Sequence, residues 1–126
     1  MKTVLIVDDS ATMRRMIIAA LRGVDQISFK EATSGLEAIE RLAVVPADLV
    51  VLDLNMPDIH GLEVLRFMRA HDSFRETPVV ILTTRDDEEI RAAAYRDGAT
   101  LYLTKPFRPD ALAPEIERLL AGATNG

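Results

Sequence analysis

The sequence predicts an α/β domain in which a parallel sheet of five strands is flanked by five helices. Three observations carry that expectation. Short β-rich apolar runs alternate with stretches of helical period along the chain. Two of those runs, Val4–Val7 and Leu49–Leu52, are continuously apolar, the pattern of strands covered on both faces. No linker, repeat or low-complexity stretch breaks the alternation within 126 residues, the length of one ordinary domain.

The elements follow in order. Thr3–Val7 is expected as the first strand. Met13, Met16, Ile17, Ala20 and Leu21 then recur at helical spacing and predict a helix with that stripe turned inward. Ile27–Glu31 is the second strand, and Leu36, Ile39, Glu40 and Ala43 give a weaker stripe after Ser34, a suitable N-cap. The third strand is Leu49–Leu52. Gly61 opens a helix carrying Leu62, Leu65, Arg66, Met68 and Arg69, with Leu65 and Met68 facing inward. After a fourth strand at Val79–Leu82, Asp86 or Asp87 caps a helix whose first turn holds Glu88 and Glu89, as the helix dipole favours. Gly98 ends that helix at C′. Thr100–Leu103 is the fifth strand, and the last helix presents Leu112, Ile116, Leu119 and Leu120. Pro114 lies inside it and removes an internal hydrogen bond, so either the helix begins near Pro114 or its first turn at Pro109 is kinked. The domain is expected to span residues 1–121, with 122–126 as a polar, Gly-ended tail.

Composition narrows the function. Hydrophobic residues make up 48% of the chain and charged residues 28%, enough core without metal or disulfide support and too well mixed for disorder. A net charge of −5 with no Lys/Arg cluster argues against a nucleic-acid surface. The absence of cysteine removes disulfides, thiolate nucleophiles and Cys-based zinc sites. His60 and His71, the only histidines, are too few for a multi-His cage and are read as surface or structural residues. No run approaches the roughly 18 apolar residues of a membrane span, and the apolar opening is too short for a signal peptide. The cytoplasm is the expected compartment.

Ligands of an open parallel sheet bind beyond the carboxyl ends of its strands. The first strand is followed by Asp8 and Asp9, the third by Asp53, the fourth by Thr83 and Thr84, and the fifth by Lys105-Pro106. Three carboxylates, a hydroxyl and an ammonium would then share one rim. Crowded carboxylates raise one another's pKa unless a cation sits among them, and an all-oxygen donor set suits Mg²⁺. A carboxylate is also a nucleophile able to form an aspartyl phosphate, and a lysine and a hydroxyl can neutralise phosphoryl oxygens. Each piece has a plainer reading: Asp8-Asp9 as a turn and N-cap, Asp53–Asp58 as an Asx/Pro turn, Tyr102 as a half-buried strand aromatic. Their joint placement on one rim favours the chemical reading. Ser10 and Ser34 lack a positioned His–Asp pair, and neither GxxxxGK[ST] nor GxGxxG occurs.

These residues resemble the receiver domain of two-component response regulators, especially the stand-alone CheY-like type. The resemblance covers Lys2 to Leu120 and rests on Val4–Ser10, Leu52–Pro57, Ile81–Thr83 and Tyr102–Phe107, with Gly61 and Gly98 in the family's places. It implies the flavodoxin-like strand order 2-1-3-4-5. It implies that Asp53 accepts a phosphoryl group and that Asp9 and Asp53 bind Mg²⁺ through their side chains. Asn55 would bind through its backbone carbonyl and Asp8 through a metal-bound water. Lys105 resembles the lysine that pairs with the phosphoryl group, Thr83 the hydroxyl that moves toward it, and Tyr102 the aromatic switch that turns inward on activation. Lys105-Pro106 resembles a peptide bond that is cis in the family.

Thr84 departs from the family's small residue and is expected to crowd the phosphoryl site. Asn55 and Arg85 match variable positions that tune phosphoryl lifetime. Ala99-Thr100-Leu101 lacks the acidic pair of dimerising transcription-factor receivers, which favours a monomer. The implied partners are a sensor histidine kinase or phosphotransfer protein upstream, and a protein target on the last helix–strand–helix face, in chemotaxis or another process. Such a domain catalyses only its own phosphorylation and slow dephosphorylation. Two other readings are an unphosphorylated adaptor and an aspartyl-phosphate phosphohydrolase. The second would place an acid where this chain has Asn55.

Overall fold

The continuously apolar strands divide their side chains between two cores. The computed structural model describes the backbone of residues 1–125 and the side chains of residues 1–122. Its elements are β1 (Lys2–Val7), α1 (Ala11–Leu21), β2 (Ile27–Ala32), α2 (Gly35–Val44), β3 (Leu49–Leu52), α3 (Gly61–Ala70), β4 (Val79–Thr83), α4 (Glu88–Arg96), β5 (Leu101–Thr104) and α5 (Pro109–Asn125). All pairings are parallel and the strand order is β2-β1-β3-β4-β5, the expected doubly wound sheet. Each strand lies within one residue of its expected bounds. Val4 and Ile6 of β1 pack with Ile17, Leu21, Leu112 and Ile116, on the side of α1 and α5. Leu5 and Val7 pack with Leu42, Leu65, Met68 and Ala94, on the side of α2, α3 and α4. Period-two alternation therefore fills both faces at once.

Three sequence expectations are corrected. On α1 the buried residues are Ile17 and Leu21, while Met16 is 49% exposed and falls off the inward stripe. On α2 the inward residues are Gly35, Ala38 and Leu42, and Leu36 is 54% exposed. The cause is close approach in the first turns: a Cβ on Gly35 would stand 2.9 Å from Ile59 Cβ, so Gly35 and Ala38 face in there and Leu36 faces out. For α5, a start near Pro114 does not hold. The helix begins at Pro109 and runs through Pro114, giving up the one N–H that proline lacks. It reaches Asn125, within the stretch expected as a tail; Gly126 lies outside the described residues.

The caps follow the expected chemistry with local variations. Ser34 accepts from Glu37 N–H, and Asp58, from the β3–α3 loop, accepts from Gly35 and Leu36 N–H at 3.1 and 2.9 Å. These contacts satisfy the free donors of α2. His60 caps α3 through Nδ1, which accepts from Leu62 N–H. Asp87 is the N-cap residue of α4 but makes no side-chain cap bond; its Oδ1 accepts from Arg85 Nε at 3.3 Å. Gly98, with φ +108°, follows the C-cap of α4.

Candidate functional site

Sheet register brings the rim together. Val7 of β1 is in register with Leu52 of β3, so the next residues, Asp8 and Asp53, leave the sheet side by side. This is where the strand order reverses, the usual ligand crevice of such folds. Thr83 ends β4 opposite Thr104 of β5, which delivers Lys105 alongside; Lys105 N–H donates to the Thr83 carbonyl at 2.8 Å. The Lys105-Pro106 bond is cis.

The side chains converge as the register requires. Lys105 Nζ stands 2.7 Å from Asp8 Oδ2 and 3.5 Å from Asp53 Oδ2. Asp8 and Asp53 are 2% and 5% exposed, whereas Asp9 is exposed. Asp8 Oδ1 accepts from Ser10 N–H at 2.9 Å and Asp53 Oδ1 from Asn55 N–H at 3.3 Å. Burial pushes the Asp53 carboxyl above its ordinary value; Lys105 opposes that rise and Asp8 adds to it. The buried Thr83 hydroxyl accepts from Arg85 N–H at 3.4 Å and from Asn55 Nδ2 at 3.5 Å. Thr84 sits exposed at the rim, its hydroxyl 3.4 Å from the same amide.

The donor chemistry fits a hard divalent cation. One carboxylate oxygen from each of Asp8, Asp9 and Asp53 lies within 4.8 Å of the others, with the single ammonium of Lys105 beside them. Three carboxylates against one ammonium leave excess negative charge on an all-oxygen set, which a Mg²⁺-sized ion would balance.

The structure also supplies contacts that sequence reading does not give, and one residue, Arg14, that it passes over. Arg14 Nη1 donates to the Asp8 carbonyl at 2.7 Å while its Nε pairs with Glu31 at 2.8 Å, tying the β1–α1 turn to β2. Asn55 enters with its side chain, bridging the hydroxyls of Thr83 and Thr84, as well as through its backbone. Gly61 packs so tightly that a Cβ there would lie 2.5 Å from the Asp53 carbonyl oxygen. Tyr102 is 3% exposed and points inward, its hydroxyl donating to the Arg85 carbonyl at 2.7 Å.

The sequence pattern described as "Response regulator receiver domain" matches residues 4–117. The chain belongs to that family. The receiver is 36% identical over 117 residues to chemotaxis protein CheY1 of Helicobacter pylori, covering 92% of this chain and 94% of that one. Among solved structures, chemotaxis protein CheY4 of Vibrio cholerae superposes with a TM-score of 0.86 at 32% identity, over 94% of this chain and 98% of that one. The signal receiver domain of a signal transduction histidine kinase from Syntrophus aciditrophicus gives a TM-score of 0.91 at 28% identity, over 100% and 95%. Receiver domains of this type are signalling modules of two-component systems that bind Mg²⁺ at an acidic pocket and exchange contacts with kinases, phosphotransfer proteins and targets. Among the described residues, no helix is long and apolar enough to cross a membrane.

Proposed function

We propose that this receiver is a switch whose Asp53 takes a phosphoryl group from the phosphohistidine of a sensor kinase or phosphotransfer protein, or from a small acyl phosphate. The observation that carries the reading is the position of Asp53: a buried carboxylate flanked by the Lys105 ammonium, the Thr83 hydroxyl and two further aspartates. An Asp53 carboxylate oxygen forms a bond to phosphorus as the donor's P–N or acyl P–O bond breaks, leaving an acyl phosphate. Asp8, Asp9, Asp53 and the Asn55 carbonyl would hold Mg²⁺, whose charge offsets that of the phosphoryl oxygens. Lys105, already beside Asp53, pairs with a phosphoryl oxygen, and the Thr83 hydroxyl is placed to donate to another. Asn55, through the hydroxyls of Thr83 and Thr84, orders that side of the rim.

The added charge of about −1.5 to −2 biases a two-state equilibrium that the Tyr102 ring reports. A protein target reads the α4–β5–α5 face. The receiver unit is assigned to residues 1–121 and acts as a cytoplasmic monomer, with catalysis confined to its own phosphorylation and slow hydrolysis. Chemotaxis is one process that such a switch serves, as the names of the Helicobacter and Vibrio relatives record for those proteins. The test is incorporation of label from acetyl phosphate. Label in wild type with Mg²⁺, absent with EDTA and absent in Asp53→Asn, is the expected result. Equal labelling of Asp53→Asn overturns the proposal, and multiple turnover of a phosphomonoester would favour a phosphohydrolase instead.

A further inference from the structure

Tyr102 is held at three points by α4 and the loop before it. Its hydroxyl donates to the Arg85 carbonyl, and the Arg91 guanidinium carbon stands 4.8 Å from its ring centroid, a cation–π distance. Its main-chain N–H donates to the Tyr95 hydroxyl at 3.0 Å. The sheet explains that third contact. β5 is an outer strand, and Lys105 N–H turns inward to Thr83. Alternation along the strand then sends Tyr102 N–H outward, to a place that another strand could occupy. Tyr95 fills it from α4 with its ring tilted 44° against Tyr102 and centroids 6.5 Å apart. Tyr102 is almost fully covered while its β5 neighbours are half-buried. Arg91 and Tyr95 therefore both lie against the ring, from α4.

We propose that Tyr95 and Arg91 are positioning residues that clasp Tyr102 in its buried state, so that Tyr95 sets how often the ring swings outward. This rests on the reading of Tyr102 as the signalling switch. The clasp reaches the rim through Arg85, whose carbonyl takes the Tyr102 hydroxyl and whose N–H donates to Thr83 Oγ1. Loosening it weakens the link between the phosphoryl site and the α4–β5–α5 face without touching Asp8, Asp9, Asp53 or Lys105.

The chain has two tyrosines, so Tyr95→Phe leaves Tyr102 as the sole one. The full chain is labelled with ring-fluorinated tyrosine and followed by fluorine NMR, with and without Mg²⁺ and beryllofluoride, alongside Tyr95→Ala and Arg91→Gln. Tyr102→Phe assigns the Tyr95 signal. Tyr95→Phe is expected to raise the solvent-exposed population of the Tyr102 ring roughly fivefold, the equivalent of one net hydrogen bond. Tyr95→Ala and Arg91→Gln should raise it too, and beryllofluoride should draw it back. A Tyr102 signal unchanged in shift and solvent response in all three variants overturns the proposal, even if their Tm falls, since that describes a merely structural role. A wild-type ring that ignores beryllofluoride overturns the switch reading instead, while ring release in Tyr95→Phe would still support the clasp.

Discussion

Replacing Lys105 by methionine removes one charge from the rim and keeps most of the side chain's length. In the native structure that ammonium lies 2.7 Å from Asp8 and 3.5 Å from Asp53. Both carboxylates are largely buried, so water compensates for its loss only in part. Removing one partner from a buried ion pair costs about 3–5 kcal/mol. The loss has a ceiling, because a stranded carboxylate can take up a proton. Starting from the ordinary value of 3.8, protonation near pH 7 costs about 4 kcal/mol. The expected destabilisation is therefore about 3–4 kcal/mol, or a fall in Tm of about 10–15 °C for a domain of this size.

The pH dependence has a definite sign. Burial already raises Asp53 in the folded state, and removing Lys105 raises it further. A carboxyl with a raised folded value binds more protons folded than unfolded, so its penalty is full at neutral pH and shrinks as pH falls through the folded value. The Tm difference between Lys105→Met and wild type should narrow as pH falls from neutral toward the ordinary carboxylate range, and millimolar Mg²⁺ should also narrow it. Thermal melts followed by circular dichroism measure both. A Tm within a degree or two of wild type at neutral pH, or a gap that widens on acidification, would refute the view that Lys105 neutralises these aspartates.

Further outcomes follow from other contacts. Gly61→Ala places a methyl 2.5 Å from the Asp53 carbonyl oxygen and 2.7 Å from Leu54 Cα, which forces backbone to move by nearly an ångström. It should cost about 1–3 kcal/mol in urea unfolding and slow acetyl-phosphate labelling by about 100-fold; native labelling kinetics would contradict this. Asp58→Ala removes the acceptor of the Gly35 and Leu36 N–H groups. Those bonds, the one from Leu36 foremost, hold the Asp58 carboxyl down at about 2. Its stabilisation is thus full above the ordinary carboxylate range and lost as pH falls through about 2, so wild type and variant should differ in urea midpoint at neutral pH and converge in acid. Arg69→Met removes the donor shared by the carbonyls of Phe74, Arg75, Thr77 and Gly98 and should cost about 2–3 kcal/mol in urea unfolding. Arg69→Lys should recover only part of it, because one ammonium cannot span that set of acceptors.

How much of this was legible in the sequence depends on the range of the interaction. Val4–Val7 and Leu49–Leu52 declare themselves as doubly covered strands because their burial is continuous, and the rim follows because each chemical residue lies at or just beyond the end of a strand. The face of α2 is hard to read because two of its three buried residues are Gly35 and Ala38, beside Leu42, and the value of those two lies in close approach rather than hydrophobicity. Arg14 was invisible because its partners Asp8 and Glu31 adjoin only after β1 and β2 pair. Asp58 caps a helix that begins 23 residues earlier in the chain, so no local capping rule points to it. Tyr95 reads as an ordinary exposed helix residue until β5 is placed beside α4.

The account stands most directly on which carboxylate is modified. After phosphorylation by acetyl phosphate with Mg²⁺, borohydride reduces an acyl phosphate to the alcohol, and peptide mass spectrometry locates the changed residue among Asp8, Asp9 and Asp53. The account predicts reduction at Asp53, with Asp8 and Asp9 intact and no reduction in EDTA. Reduction at Asp8 or Asp9 in the wild-type protein would contradict it.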